Sequence, residues 1–201
     1  MLDLPFVTQP GLGDPVQQSQ VIFRNVLAAL AEPGLVRSVD FAAVPGLRAG
    51  PAAIALLLTL ADGDTSLYLG ADQAALAAYL RFHTGAPIVS EPDAAQFALL
   101  ADCQQLSLTD FKAGSEDFPD QSATLIIEVE QLAERGPVVL RGPGIPGHRR
   151  VDIRGLPADF VQQWAANHSA FPCGVDVILT CGNQLMGLPR TTHLEASCMS
   201  R

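Results

Sequence analysis

Residues 135–154 gather five arginines, Arg135, Arg141, Arg149, Arg150 and Arg154, against one aspartate, Asp152. Arginine offers a planar fork that matches phosphate and carboxylate groups. Inside this stretch Arg141-Gly142-Pro143-Gly144-Ile145 follows a strand-like run, and a glycine loop at a strand end lets backbone amides approach an anion. Arg141, Gly142 and Gly144 are therefore candidate anion-binding or interface residues. The plainer account is a hairpin loop, because Gly/Pro runs mark turns far more often than sites. Arg81 and His83 close a helix before Gly85, where cations suit the helix dipole; the functional alternative is a polar pair projecting into a cleft. Asp120 leads into the strongest strand and suits a turn hydrogen bond to nearby backbone. As a catalytic acid it would lack a visible partner.

Other chemistries have no residues to run them. The chain holds no GxxxxGK[ST] phosphate loop, no GxGxxG after a strand and no GxSxG elbow. His83, His148, His168 and His193 fall at no metal-ligand spacing, and Cys103, Cys173, Cys181 and Cys198 form no CxxC pair. No metal site and no catalytic residue are expected. Schiff-base chemistry needs a lysine amine, and the one lysine, Lys112, sits in a polar stretch near acidic residues that would keep it protonated. Pyridoxal phosphate is not expected as a cofactor.

Composition narrows the class. Hydrophobic residues make up 48% of 201 and charged residues only 16%, so the core is large and surplus apolar surface is available for a subunit interface. The net charge of −9 argues against nucleic acid and anionic lipid as partners. The longest apolar run, residues 52–61, is half the roughly 20 residues of a membrane helix. With no basic, apolar leader at Met1, a cytoplasmic protein with free thiols is expected.

The elements that must position these residues alternate. Residues 1–16, rich in Pro and Gly, read as an extended arm. Helices are expected at 17–31, 51–60, 72–83 with Asp72 as cap, and 157–167 ending at Asn167. Strands are expected within 35–41 and at 67–69, 88–89, 123–129, 138–141, 151–153 and 175–180, the last in a hairpin with 184–188. Residues 94–101 fit either state, and 104–121 read as a short helix and polar loop. The tail 193–201 is expected to fray. Residues 17–192 then form one α/β domain, three-layer α/β/α with a mixed sheet.

Six segments, in order, resemble one family: Phe23-Arg24 through Pro33-Gly34, Leu80-Arg81-Phe82-His83-Thr84-Gly85-Ala86, Pro119-Asp120-Gln121-Ser122-Ala123-Thr124-Leu125, Leu140-Arg141-Gly142-Pro143-Gly144-Ile145, Phe171-Pro172-Cys173-Gly174-Val175-Asp176 and Leu188-Pro189-Arg190-Thr191-Thr192. They are similar to the H subunit of the bacterial carbon–phosphorus lyase system, the PhnH family. Cys173 and His193 depart from the residues usual there. The resemblance implies a fold like that of pyridoxal-phosphate-dependent transferases without the cofactor. It also implies homodimers, and a core complex with the G, I and J subunits that displaces adenine from ATP with an alkylphosphonate. Chemistry on another subunit is implied, so no catalytic residue is carried over; Arg190 joins the candidate anion-binding or interface residues. Three readings stand open: an accessory subunit of that synthase, a small-anion or nucleotide binding module near Arg141 and Arg81, and a stand-alone transferase or hydrolase.

Overall fold

The computed structural model describes residues 9–70 and 73–196. A seven-stranded sheet runs through the molecule in the order β1 (Arg37–Ser38), β9 (Gln184–Leu188), β8 (Asp176–Cys181), β5 (Thr124–Glu128), β4 (Phe97–Leu100), β2 (Leu67–Leu69), β3 (Ile88–Val89), and a second sheet has the order β10 (His193–Ala196), β6 (Gln131–Arg141), β7 (Arg149–Arg154). In the large sheet β8 (Asp176–Cys181), β5 (Thr124–Glu128), β4 (Phe97–Leu100), β2 (Leu67–Leu69) and β3 (Ile88–Val89) are parallel neighbours. β9 (Gln184–Leu188) and β1 (Arg37–Ser38) add on antiparallel. The sheet is mixed, as expected.

Side-chain alternation along these strands feeds two cores. Leu67, Leu99, Ile126, Ile178 and Leu185 face α1 (Pro15–Ala31), α2 (Pro51–Leu60) and α3 (Ala74–Thr84). Ala98, Leu125, Ile127, Val177, Leu179 and Met186 face the opposite layer. That layer departs from the expected α/β/α arrangement. It holds α4 (Phe160–Ser169), but also the antiparallel sheet of β6 (Gln131–Arg141), β7 (Arg149–Arg154) and β10 (His193–Ala196). Leu132, Leu140, Val151 and Leu194 from this second sheet share one core with Phe160 and Trp164.

Local chemistry explains the boundaries. α1 begins two residues before the expected Gln17. Asp14 accepts from the amides of Val16 and Gln17 at 3.2 and 3.0 Å, and Pro15 fills the first turn. The helix therefore absorbs the end of the expected arm. In α2, Ala52 through Leu57 are all buried, as befits a helix apolar on every side. α3 stops at Gly85, whose φ of 75° closes the helix in the left-handed region. Asp72 lies outside the described residues, as do 1–8 of the expected arm and 197–201 of the expected tail; Gln73 precedes the helix.

Two further expectations are corrected. β6 starts seven residues earlier than the expected Val138, because Gly136-Pro137 sits in a bulge between Ala133 and Val138 and does not end the strand. The tail does not fray at once: His193–Ala196 pairs antiparallel with Val138–Arg141. The ambiguous residues 94–101 resolve into a short 3-10 turn, Pro92–Ala94, and β4. Residues 104–121 hold two 3-10 turns, Leu108–Asp110 and Pro119–Gln121.

Candidate functional site

Arg190 is the best-placed of the candidate cations, and it is fully engaged. Its Nε donates to Asp176 Oδ1 at 3.2 Å. Nη1 donates to the carbonyls of Pro119 and Pro172, both at 3.1 Å. Nη2 donates to Asp176 Oδ2 at 2.5 Å and to Ser122 Oγ. A guanidinium has five N–H donors, so none is left for a phosphate or phosphonate. The backbone adds to the knot. The Arg190 amide donates to Asp176 Oδ1 at 2.8 Å, and His168 Nδ1 meets the Arg190 carbonyl at 2.8 Å. Trp164 Nε1 donates to the Thr192 carbonyl at 2.8 Å. The side chain is 11% exposed. Arg190 thus clasps the Pro119–Gln121 turn, the Phe171-Pro172 corner and the start of β8.

Asn167 belongs to the same knot. It does not end α4, which runs on to Ser169. Its Oδ1 accepts from the Val175 amide at 2.8 Å, and its Nδ2 donates to the Val175 carbonyl at 3.0 Å. A short polar side chain here imitates a strand's pairing edge.

The Arg141 loop is a hairpin loop between β6 and β7, and its glycines are crowded. A Cβ on Gly144 would run into the Ala31 carbonyl at the end of α1, and one on Gly142 would lie 2.9 Å from the Thr191 carbonyl. Carbonyl oxygens facing the loop repel an anion. Arg141 itself is exposed and donates to the Gly147 carbonyl at 3.4 Å. Neighbouring Arg149 turns back to the Glu32 and Pro33 carbonyls at the end of α1. The loop therefore docks a helix end.

Arg81 and His83 stand in the last turn of α3, where the dipole favours them. Arg81 is exposed. His83 Nε2 lies 3.0 Å from the Gln9 carbonyl, and its ring packs on Tyr79 with centroids 4.4 Å apart. Tyr79 donates its hydroxyl to the Pro10 carbonyl at 3.0 Å; burial pushes its phenol pKa up. Together they seat residues 9–11 on α3. Asp120 is exposed, and no partner for its carboxylate exists among the described residues, so the expected turn hydrogen bond is not made. Lys112 is exposed and donates to Gln121 Oε1 at 3.4 Å.

The candidates thus lie apart: Arg81 and His83 at the end of α3, Arg141, Gly142 and Gly144 at the β6–β7 hairpin, and Asp120 beside the Arg190 clasp. None lines a cleft of about 700 Å³ on the large sheet. That cleft opens where β2, β4 and β5 end, the usual place for ligands in open parallel sheets. Arg48, Tyr68, Asp102, Asp110, Phe111 and Glu128 line it, with the amides of Gln73, Gln104 and Gln105. Sequence reasoning missed these residues. The available signal was position: Glu128 and Leu100 each close a strand rich in apolar residues.

Glu128 reaches from β5 to the start of α2, where its Oε1 accepts from the Gly50 amide at 2.5 Å. Burial raises its carboxyl pKa above the ordinary value, and the Gly50 hydrogen bond opposes part of that shift. Three carboxylates against one arginine make the cleft unfavourable for a polyphosphate and better suited to neutral or cationic hydrogen-bonding groups. Among the described residues no group of three His, Cys, Asp or Glu comes together to hold a metal ion, and no helix is long and apolar enough to cross a membrane.

Fold and sites together define a mixed α/β protein in which Arg190, Asn167, Arg149 and His83 join segments of its own chain. The family model for the bacterial phosphonate metabolism protein PhnH matches residues 10–195, and the chain belongs to that family. It is 37% identical over 185 residues to the alpha-D-ribose 1-methylphosphonate 5-triphosphate synthase subunit PhnH of Rhizobium meliloti (strain 1021), covering 90% of this chain and 92% of that protein. It is 31% identical over 178 residues to the putative C-P lyase subunit protein HtxG of Stutzerimonas stutzeri, covering 89% and 86%.

Proposed function

We propose that this chain is an accessory, non-catalytic subunit of an α-D-ribose 1-methylphosphonate 5-triphosphate synthase in phosphonate catabolism. It works in the cytoplasm, in a complex with the G, I and J subunits, and pairs as a homodimer in isolation. The observation that carries the reading is the end-to-end likeness to a protein named as a subunit of that synthase. Two structural features support a role in assembly. The Arg190 fork is saturated by its own chain. Val16, Val21, Phe23 and Leu27 leave large apolar side chains exposed on α1, a surface suited to burial against another chain. A fold akin to pyridoxal-phosphate-dependent transferases, working without the cofactor, is part of the same proposal; the large mixed sheet is compatible with it.

The test has two arms. A tag on this chain should bring down the other subunits when all are co-expressed. The isolated chain, given ATP and methylphosphonate, should release no adenine. Failure to co-purify any partner, or turnover by the lone chain, would sink the reading and promote the stand-alone transferase or hydrolase. The small-anion or nucleotide module near Arg141 and Arg81 has less support. Its loop faces carbonyls and its two arginines sit on separate elements. Calorimetric titration of the parent and Arg141→Ala with ATP checks it, and equal heats would dismiss the site.

A further inference from the structure

Phe118 and Phe171 are 56% and 60% exposed. Each precedes a proline, and the carbonyls of those prolines both accept from Nη1 of Arg190. One nitrogen atom therefore holds two distant Phe-Pro steps side by side. Phe118 is fixed further: its amide donates to the Ser115 carbonyl and Oγ at 3.2 and 3.1 Å, and the Ser115 amide donates back to the Phe118 carbonyl at 3.2 Å. The Phe171 amide donates to the His168 carbonyl at 3.2 Å, at the end of α4. The backbone of both aromatic residues is thus set before any partner arrives, which lowers the ordering cost of binding.

The charge beside them is lopsided. Glu116, Asp117 and Asp120 are exposed on the same turn-rich stretch, and among the described residues none of them has an ion-pair partner. Lys112 is the nearby cation in sequence. A two-fold contact between copies of this patch would set these carboxylates against themselves, which disfavours self-association here. A different chain with basic residues around an apolar pocket would satisfy both the rings and the acids.

We infer that Phe118 and Phe171 anchor this chain to another subunit of the assembly, one presenting an apolar pocket rimmed by arginine or lysine. This rests on the accessory-subunit reading and adds to it a surface and a partner chemistry. Paired aromatic anchors beside complementary charge are the usual centre of a tight interface.

The test uses the purified remaining subunits, prepared without this chain, as the binding probe for the full chain. Phe118→Ala with Phe171→Ala should weaken binding by about 30-fold or more. Thermal stability should stay close to that of the parent, because both rings are exposed. Reversing Glu116, Asp117 and Asp120 to lysine should slow association and blunt its salt dependence. Phe82→Ala, a control for an exposed ring elsewhere (63%), should bind like the parent. If the parent binds the other subunits and both variants bind within about threefold of it, a range too small for a hot spot, this surface is wrong while the accessory-subunit reading stands. A parent that does not bind overturns both. A change confined to the self-association of the isolated chain assigns the patch to a second copy and overturns the proposal.

Discussion

Replacing Arg190 by alanine offers the sharpest measurement of what holds this fold together. The substitution removes all five guanidinium donors at once, orphaning the Pro119 and Pro172 carbonyls, Ser122 Oγ and most of the pairing of Asp176. Breaking one side of a buried ion pair costs about 3–5 kcal/mol. The Asp176 side chain is 26% exposed and keeps the Arg190 backbone amide, so water and that amide recover part of the loss. A cost of about 3 kcal/mol follows. Against a total stability of roughly 5–15 kcal/mol, that moves the melting temperature down by about 6–12 °C for a chain of this size. Urea denaturation can be followed by the fluorescence of Trp164, the single tryptophan, which is buried and bonded to the Thr192 carbonyl two residues from the clasp. Arg190→Lys should recover only part of the loss, since an ammonium cannot reach four separated acceptors from one position. A midpoint change worth less than about 1 kcal/mol, the size of an ordinary surface effect, would refute the clasp. Unchanged stability combined with lost anion binding would make Arg190 a ligand group.

Further outcomes follow from the same geometry. Gly144→Ala should destabilise by at least about 2 kcal/mol in thermal melts. Gly147→Ala, at a similar φ of 73° with open space around it, should cost only about 1 kcal/mol. Glu128 has a folded pKa raised by burial, so the native state holds its proton longer than the unfolded state. The penalty from Glu128 is absent below its ordinary value and grows as pH rises through the raised one. Glu128→Gln should therefore gain stability relative to the parent as pH climbs through that window, and the gain should vanish in acid; parallel denaturant titrations across pH will show it. Cys103 is buried with its thiol pKa pushed up by desolvation, whereas Cys173 and Cys181 are partly exposed. Timed alkylation read by peptide mass should label Cys103 last of these three. His83→Ala should speed hydrogen exchange at residues 9–13 while leaving the global melt nearly unchanged, because it frees one anchor of that segment.

Periodicity and punctuation made most elements readable. The β-branched run of β5, the Gly182-Asn183 hairpin and the Gly85 stop each express a local backbone preference. Two local signals were present and undervalued: Asp14-Pro15, a cap followed by a first-turn proline, and the Glu128 strand end. β10 carried no such signal. Its pairing with β6 depends on a partner more than fifty residues away, which no window of sequence displays. The same holds for the site. Arg190 reads as an available fork until the fold delivers Pro119, Ser122, Pro172 and Asp176 to it, and Gly144 reads as an open loop until α1 ends against it. The six segments that carried the family resemblance include the places where distant parts of the chain lock together, among them Pro119, Ser122, Pro172, Asp176 and Arg190.

Both borders of the large sheet are only two residues long, Arg37–Ser38 on one side and Ile88–Val89 on the other. The small sheet has two outer strands: β7, longer but studded with Arg149, Arg150 and Arg154, and β10, only four residues long. Such margins offer a neighbouring polypeptide almost no ladder of free amides and carbonyls to extend. Where this protein meets other chains, side-chain fit between finished surfaces is then favoured over continuation of its sheets across the seam.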